Sequence, residues 1–269
     1  MLRLPAVSGR FYPSDPPELT ALVRKYASAG DAKTKRKVRA CLVPHAGYTY
    51  SGHVAGAVFA QIEFPRKIIV LGVRHTPRGE AAAILSEGSW RTPLGDAPID
   101  SALAEKIRGA CPLLEEDAVA HSGEHSLEVQ LPFLQVLNPG FSFVPVALGT
   151  IHFPSLVALG EGLGRVLREE HENVLLLTSS DLNHYDDDAT TRRKDGMAIE
   201  RLLAFDSQGL YDVCRNEEIS MCGLGPAVTL LTALNSLSEA RSELIKYATS
   251  ADAFGDRETT VGYAGIIFG

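Results

Sequence analysis

The amino-acid sequence predicts a layered α/β fold with a central, mostly parallel or mixed sheet flanked by helices. Two observations predict it. Short apolar runs rich in β-branched residues recur at 38–43, 67–73, 141–148, 173–178, 244–248 and 264–268. Several of these runs are continuous rather than alternating, as strands covered on both faces require. Between them lie segments with helical periodicity, at 16–28, 53–62, 101–110, 127–137, 154–168, 189–204 and 225–236. No linker-like stretch and no internal repeat divides the 269 residues, so a single domain spanning 1–269 is expected.

Each element has a local reason. The helix at 16–28 opens with Asp15 as N-cap and prolines in its first turn. The strand at 38–43 runs into Pro44-His45, and the helix at 53–62 follows a glycine-rich PHAGYTYSG segment. The strand at 67–73 leads through Arg74 to His75, with Pro77 fixing the loop and with Arg74 and Arg78 read as solvated. For 127–137, Ser126 or Ser122 is the expected cap, and Leu127, Leu131 and Leu134 form the buried stripe. That spacing places Glu128 and Gln130 on different faces. The helix at 154–168 contains GEGLG, which looks like a dinucleotide loop only superficially because it lies inside a helix. The strand at 173–178 gives way to SSDLNHY, and Asp186-Asp187-Asp188 reads as an acidic cap for the helix at 189–204. Cys222 precedes a Gly-x-Gly-Pro opening of the helix at 225–236.

Composition excludes several classes. With 45% hydrophobic and 22% charged residues the chain is neither disordered nor fibrous. Its net charge of −7 argues against a nucleic-acid partner, which needs a basic surface. The basic cluster from Lys33 to Arg39 is read as a solvated loop. No run approaches the ~18 apolar residues of a membrane span, and the opening residues lack an apolar signal region. Cys41, Cys111, Cys214 and Cys222 show no CxxC spacing, as expected of reduced thiols in a reducing compartment. A cytoplasmic location is expected.

The polar residues carry the functional signal. Strands ending near Val43, Val73 and Thr178 each present an ionisable side chain at the carboxyl end, the edge where open α/β sheets build sites. His45 is a metal ligand or acid/base on one reading and a helix-capping loop histidine on the other, whereas His53 belongs to the helix. His121 and His125 line a site or sit incidentally on a surface helix, His125 being the stronger candidate. Asp181 and His184, three apart, can meet on one turn, where the aspartate would orient the imidazole for general acid/base work. Cys222 at a helix N-terminus is expected to have a depressed pKa, making it a nucleophile or soft ligand, while the other cysteines are read as inert and buried.

The set PHAGYTYSG, LGVRHTP, EHSLEVQLPFL, SSDLNHY and CGLGP resembles the Memo family, over nearly the whole chain from LRLPAVSGRFYP to TTVGYAGIIFG. That family is similar in fold to the class III extradiol (LigB-type) dioxygenases. The resemblance implies a metal pocket with His45, His75 and Cys222 as ligands, flanked by Asp181 and His184. Where many relatives carry Ser-His, this chain has Arg74-His75. It further implies a non-haem iron oxidoreductase acting on a small-molecule substrate, with a radical-SAM protein as partner by family association. The thiol departs from the two-histidine, one-carboxylate pattern of the dioxygenases and shifts the preference toward copper or zinc, or toward thiolate-tuned iron. Two alternatives stand beside this one: a non-catalytic metal-binding or adaptor protein, and a hydrolase using Cys222, His184 and Asp181.

Overall fold

The computed structural model describes residues 1–28, 35–237 and 241–269. In chain order its elements are β1 (Leu2–Arg3), α1 (Pro16–Ser28), β2 (Ala40–Val43), α2 (Tyr48–Phe59), β3 (Lys67–Val73), β4 (Ala82–Ile84), β5 (Ser89–Thr92) and β6 (Gly95–Pro98). There follow α3 (Ser101–Ala110), β7 (Glu115–Glu116), α4 (Ala118–Ser122), α5 (His125–Glu128), α6 (Leu131–Leu137), β8 (Ser142–Leu148) and α7 (Phe153–Glu170). The remainder is β9 (Val174–Ser179), β10 (His184–Asp186), α8 (Asp188–Leu203), α9 (Ser207–Asn216), α10 (Leu224–Asn235), β11 (Ser242–Thr249), α11 (Ser250–Phe254) and β12 (Thr260–Phe268).

The α/β expectation holds. The main sheet runs β10-β12-β2-β9-β3-β8-β4-β7, with β11 also paired to β12, and a small sheet β1-β5-β6 stands apart. Strands β2, β9, β3 and β8 are parallel, while β12 and β4 flank them antiparallel, so the sheet is mixed. The continuous apolar runs are explained by burial on both faces. Cys41, Val43, Ile68 and Val70 pack with α1, α2 and α6, whereas Leu42, Ile69 and Leu71 pack with α3, α7 and α10 on the opposite side.

Local chemistry fixes the ends. Asp15 caps α1 as expected, its Oδ1 accepting from Glu18 N at 2.9 Å. Asp187 caps α8 through Ala189 N and Thr190 N. The GEGLG segment lies inside α7 and faces α10: a Cβ on Gly160 would meet Thr229 O at 2.7 Å, and one on Gly164 would meet Ala233 O at 2.9 Å. Its glycines serve close helix packing.

Some expectations are corrected. The single helix expected at 127–137 is two, α5 and α6, because Pro132 has no N–H to offer the Glu128 carbonyl one turn back. The cap of α5 is neither Ser122 nor Ser126 but Glu124, whose side chain accepts from Ser126 N. Helix α2 starts at Tyr48, five positions before the expected start at His53. Of the basic cluster, Lys33 and Thr34 lie outside the described residues, and Arg39 is buried rather than solvated, donating to Leu167 O at 2.8 Å. Arg74 likewise braces its own loop, donating to the carbonyls of Arg78 and Gly79.

Candidate metal centre

His45, His75 and Asp181 each lie two residues beyond the carboxyl end of a neighbouring parallel strand, β2, β3 and β9 respectively. In-register pairing of these strands places their ends on one edge. His125 arrives from the other direction, at the first residue of α5. Each of the three histidines offers one ring nitrogen, and all of these atoms lie within 4.8 Å of one another. The His75 and His125 rings stack with centroids 4.4 Å apart, and His45 stands edge-on to both, at 5.2 and 5.4 Å.

The hydrogen bonds settle which nitrogens face inward. Ser179 Oγ donates its one proton to Ser126 O at 2.7 Å, so it accepts from His45 Nδ1 at 3.0 Å and from Gln130 Nε2 at 2.9 Å. His45 therefore carries its proton on Nδ1 and presents its Nε2 lone pair on the side where Cys222 Sγ lies 3.2 Å away. His75 Nδ1 donates to Glu124 Oε1 at 2.9 Å, which frees its Nε2 in the same way. Such outer partners orient ligating imidazoles and raise their basicity. Glu124 also accepts from His75 N at 2.7 Å and Ser126 N at 2.7 Å, and its Oε1 lies 3.7 Å from His125 Nδ1. Burial opposes ionisation of this carboxyl, but hydrogen bonds from His75 and Ser126 outweigh it and hold the group at about 2. Burial, reinforced by the other two imidazoles, pushes His45 well below its ordinary range, and burial lowers His125. Both are thereby kept in the neutral form that binds metals.

Cys222, expected as a ligand, lies beside this group rather than within it: its Sγ is 3.2 Å from His45 Nε2 and 3.7 Å from Asp181 O. The expected depression of its pKa is not found. Burial and the Asp181 charge push the thiol up, against the lowering influence of the Gly223 amide. Cys41, Cys111 and Cys214 are buried free thiols, as expected.

Among the described residues no hydrogen bond joins Asp181 to His184. Asp181 Oδ1 accepts from His45 N at 2.7 Å and Ala46 N at 3.3 Å, so the carboxylate anchors the His45 loop instead. Burial raises its pKa. His184 Nδ1 donates to Ser220 O at 3.0 Å, leaving its Nε2 as the acceptor. A Cys222–His184–Asp181 relay is accordingly not formed, since the thiol's imidazole neighbour is His45. His121 is buried, donates from Nδ1 to Asp117 O at 2.8 Å, and takes no part in the group. His53 remains within α2.

Sequence reasoning missed the buried carboxylate of Glu128. It pairs with Arg3 and accepts from Ala6 N at 2.8 Å, Val7 N at 3.1 Å and Tyr12 Oη at 2.6 Å. This cluster ties the opening segment to α5 and sets Phe11 against His125, with ring centroids 4.9 Å apart. The cavity of about 480 Å³ next to the histidines is lined by Phe11, Tyr50, His125, Asp181, His184 and Tyr263, among others. The only signal for these partners in the sequence was the placement of Glu124, Glu128 and Gln130 around His125.

The family model for Memo-like protein matches residues 3–267. A MEMO1 family protein of Methanopyrus kandleri is 38% identical over 280 residues, covering 100% of this chain and 99% of the relative. One from Aquifex aeolicus is also 38% identical, covering 99% of each chain, and one from Methanocaldococcus jannaschii is 35% identical, covering 99% and 98%. In fold, the chain is similar to an uncharacterized Escherichia coli K12 protein, JW3007, with a TM-score of 0.58 at 13% identity, covering 86% of this chain and 100% of that one. With residues 3–267 matched by the family model and relatives of this similarity covering 99–100% of it, the chain belongs to the Memo-like family.

Proposed function

We propose that the protein is a mononuclear transition-metal protein, with iron as its metal, acting as an oxidoreductase on a small organic molecule in the adjoining cavity. One observation carries the reading: two imidazoles hold their protons on Nδ1 against buried acceptors, and His45, His75 and His125 each offer a ring nitrogen within 4.8 Å of the others. Neutral nitrogen donors of this kind suit iron, copper and zinc. Cys222 Sγ, in contact with His45 Nε2, is a further donor within reach. A bound iron would supply Lewis-acid and one-electron chemistry there.

The protein's own groups do the rest. His184 Nε2, unprotonated in the tautomer that Ser220 O selects, accepts a proton from a substrate group in the cavity. Asp181 holds the His45 loop in place through two backbone amides. Phe11, held against His125 by the Arg3–Glu128 cluster, covers the ring and excludes water from that side.

Elemental analysis of the purified protein tests the reading. About one iron per chain is expected, as for a single three-ligand site, and it should be lost in a His45→Ala, His75→Ala double variant. Unchanged occupancy in that variant would overturn the site; stoichiometric copper or zinc would overturn the assignment of iron. Oxygen uptake by the iron-loaded protein with organic reductants then tests turnover, and its absence would leave a binding protein.

A further inference from the structure

The cavity beside the histidines is walled by aromatic rings and carboxylates together with the imidazoles of His125 and His184. Tyr50 and Phe254 stand at its rim with ring centroids 4.8 Å apart, both exposed, and Phe11 closes the side toward His125. Among the described residues its lining contains two carboxylates, Asp181 and Asp256, and neither lysine nor arginine. The cations of the neighbouring segments are engaged elsewhere: Arg257 pairs with Asp188, and Arg192 with Asp188 and Asp252. Among the described residues Asp256 accepts only from Glu258 N, at 2.9 Å through Oδ1, which leaves its second oxygen available.

Tyr263 supplies an independent observation. It is 2% exposed, lines the same cavity, and its hydroxyl makes no hydrogen bond to any described residue. The hydroxyl is not among the buried polar atoms left without a partner, so it is open to solvent and can donate to a ligand atom in the cavity.

We propose that this cavity selects a flat organic cation, an aromatic or heteroaromatic molecule bearing a protonated or quaternary amine. Its charge lies between the Tyr50–Phe254 rings and Asp256, and the Tyr263 hydroxyl donates to an oxygen of the same molecule. Aromatic faces attract ammonium groups, and a described lining with two carboxylates and neither lysine nor arginine beside its imidazoles His125 and His184 favours cations over carboxylates and phosphates. The inference deepens the metal-site reading by naming the substrate class of the same cavity, but its forces come from the walls and not from the ion.

The test uses the full chain, both as purified and after chelation, with three non-chelating probes of one shape: benzyltrimethylammonium, benzyl alcohol and benzoate. Binding is read by titration calorimetry or ligand-observed NMR. The cation is expected to bind about tenfold tighter than the alcohol, from one cation–π contact and one exposed ion pair, with benzoate weakest. Asp256→Asn should bring the cation to within about twofold of the alcohol without altering the alcohol. Tyr263→Phe should weaken the alcohol several-fold and leave the quaternary cation, which has no acceptor, unchanged. Benzoate binding as tightly as the cation, an undiminished cation preference in Asp256→Asn, or no saturable binding of any probe would each overturn the proposal. Cation selectivity in a protein that holds no metal would defeat the metal reading alone; metal held without that selectivity would defeat this one alone.

Discussion

Glu124→Gln is the sharpest probe of how the three histidines are prepared. The carboxylate is fully enclosed and accepts three hydrogen bonds, from His75 N, His75 Nδ1 and Ser126 N. An amide of the same shape has one accepting oxygen. With its NH2 at the Oε2 position it opposes the His75 amide, donor against donor. With its NH2 at Oε1 it opposes Ser126 N and donates to His75 Nδ1, which drives the imidazole proton to Nε2 and closes the lone pair to metal. Leaving a buried donor unmatched costs about 1–3 kcal/mol of stability. Loss of such an outer partner weakens metal binding about 10- to 100-fold, or about 1.4–2.8 kcal/mol. Competition titration with a chromogenic chelator measures the affinity, and long-range proton–nitrogen NMR reads the His75 tautomer. If Glu124→Gln binds metal within about threefold of the parent with His75 still protonated on Nδ1, the reasoning fails.

Other perturbations follow from the same contacts. Glu128→Met strands the buried Arg3 guanidinium and should cost about 3–5 kcal/mol in denaturant unfolding, whereas Arg3→Met with Glu128→Met should cost less than Glu128→Met alone; a double variant as unstable as the sum refutes this. Asp195 is pushed up to about 6 by burial, so its folded pKa lies above the unfolded value of 3.8. Its contribution to stability is greatest below 3.8 and falls by up to about 3 kcal/mol as the pH rises to 6; Asp195→Asn should flatten that segment of the stability profile, and an unchanged slope would count against it. Gly56→Ala places a Cβ 2.6 Å from the backbone carbon of Tyr26 and should destabilise by about 1–3 kcal/mol, seen as a drop in melting temperature of about 2–4 °C per kcal/mol.

What could be read from the sequence divides along a physical line. The core strands β2, β3, β8 and β9 were legible because burial on both faces writes itself into uninterrupted runs such as Lys67–Val73. The positions of His45, His75 and Asp181 were legible because an ionisable residue directly after such a run can only emerge at the sheet edge. Short strands were not: β4 has 3 residues and β7 has 2, too few for any periodicity to register. Helix α9 buries little more than Leu210 and Cys214, a single i,i+4 pair. Outer partners escaped for another reason. Ser179 is 134 positions from His45, Glu128 is 125 from Arg3, and local spacing carries nothing about either pair. The Cys222 thiol was misjudged because a helix N-terminus is local, whereas the desolvation that outweighs it comes from the rest of the fold.

Strand β12 follows every other strand in the chain yet occupies an interior lane of the sheet, with β2 on one side and β10 and β11 on the other. A ribosome-bound chain that has already emitted residues 1–240 consequently displays β2 as a raw edge, open to annealing with a neighbouring nascent polypeptide. A chain that contains β2 but ends before residue 260 lacks the strand that pairs with it on that side, and so keeps that edge unpaired.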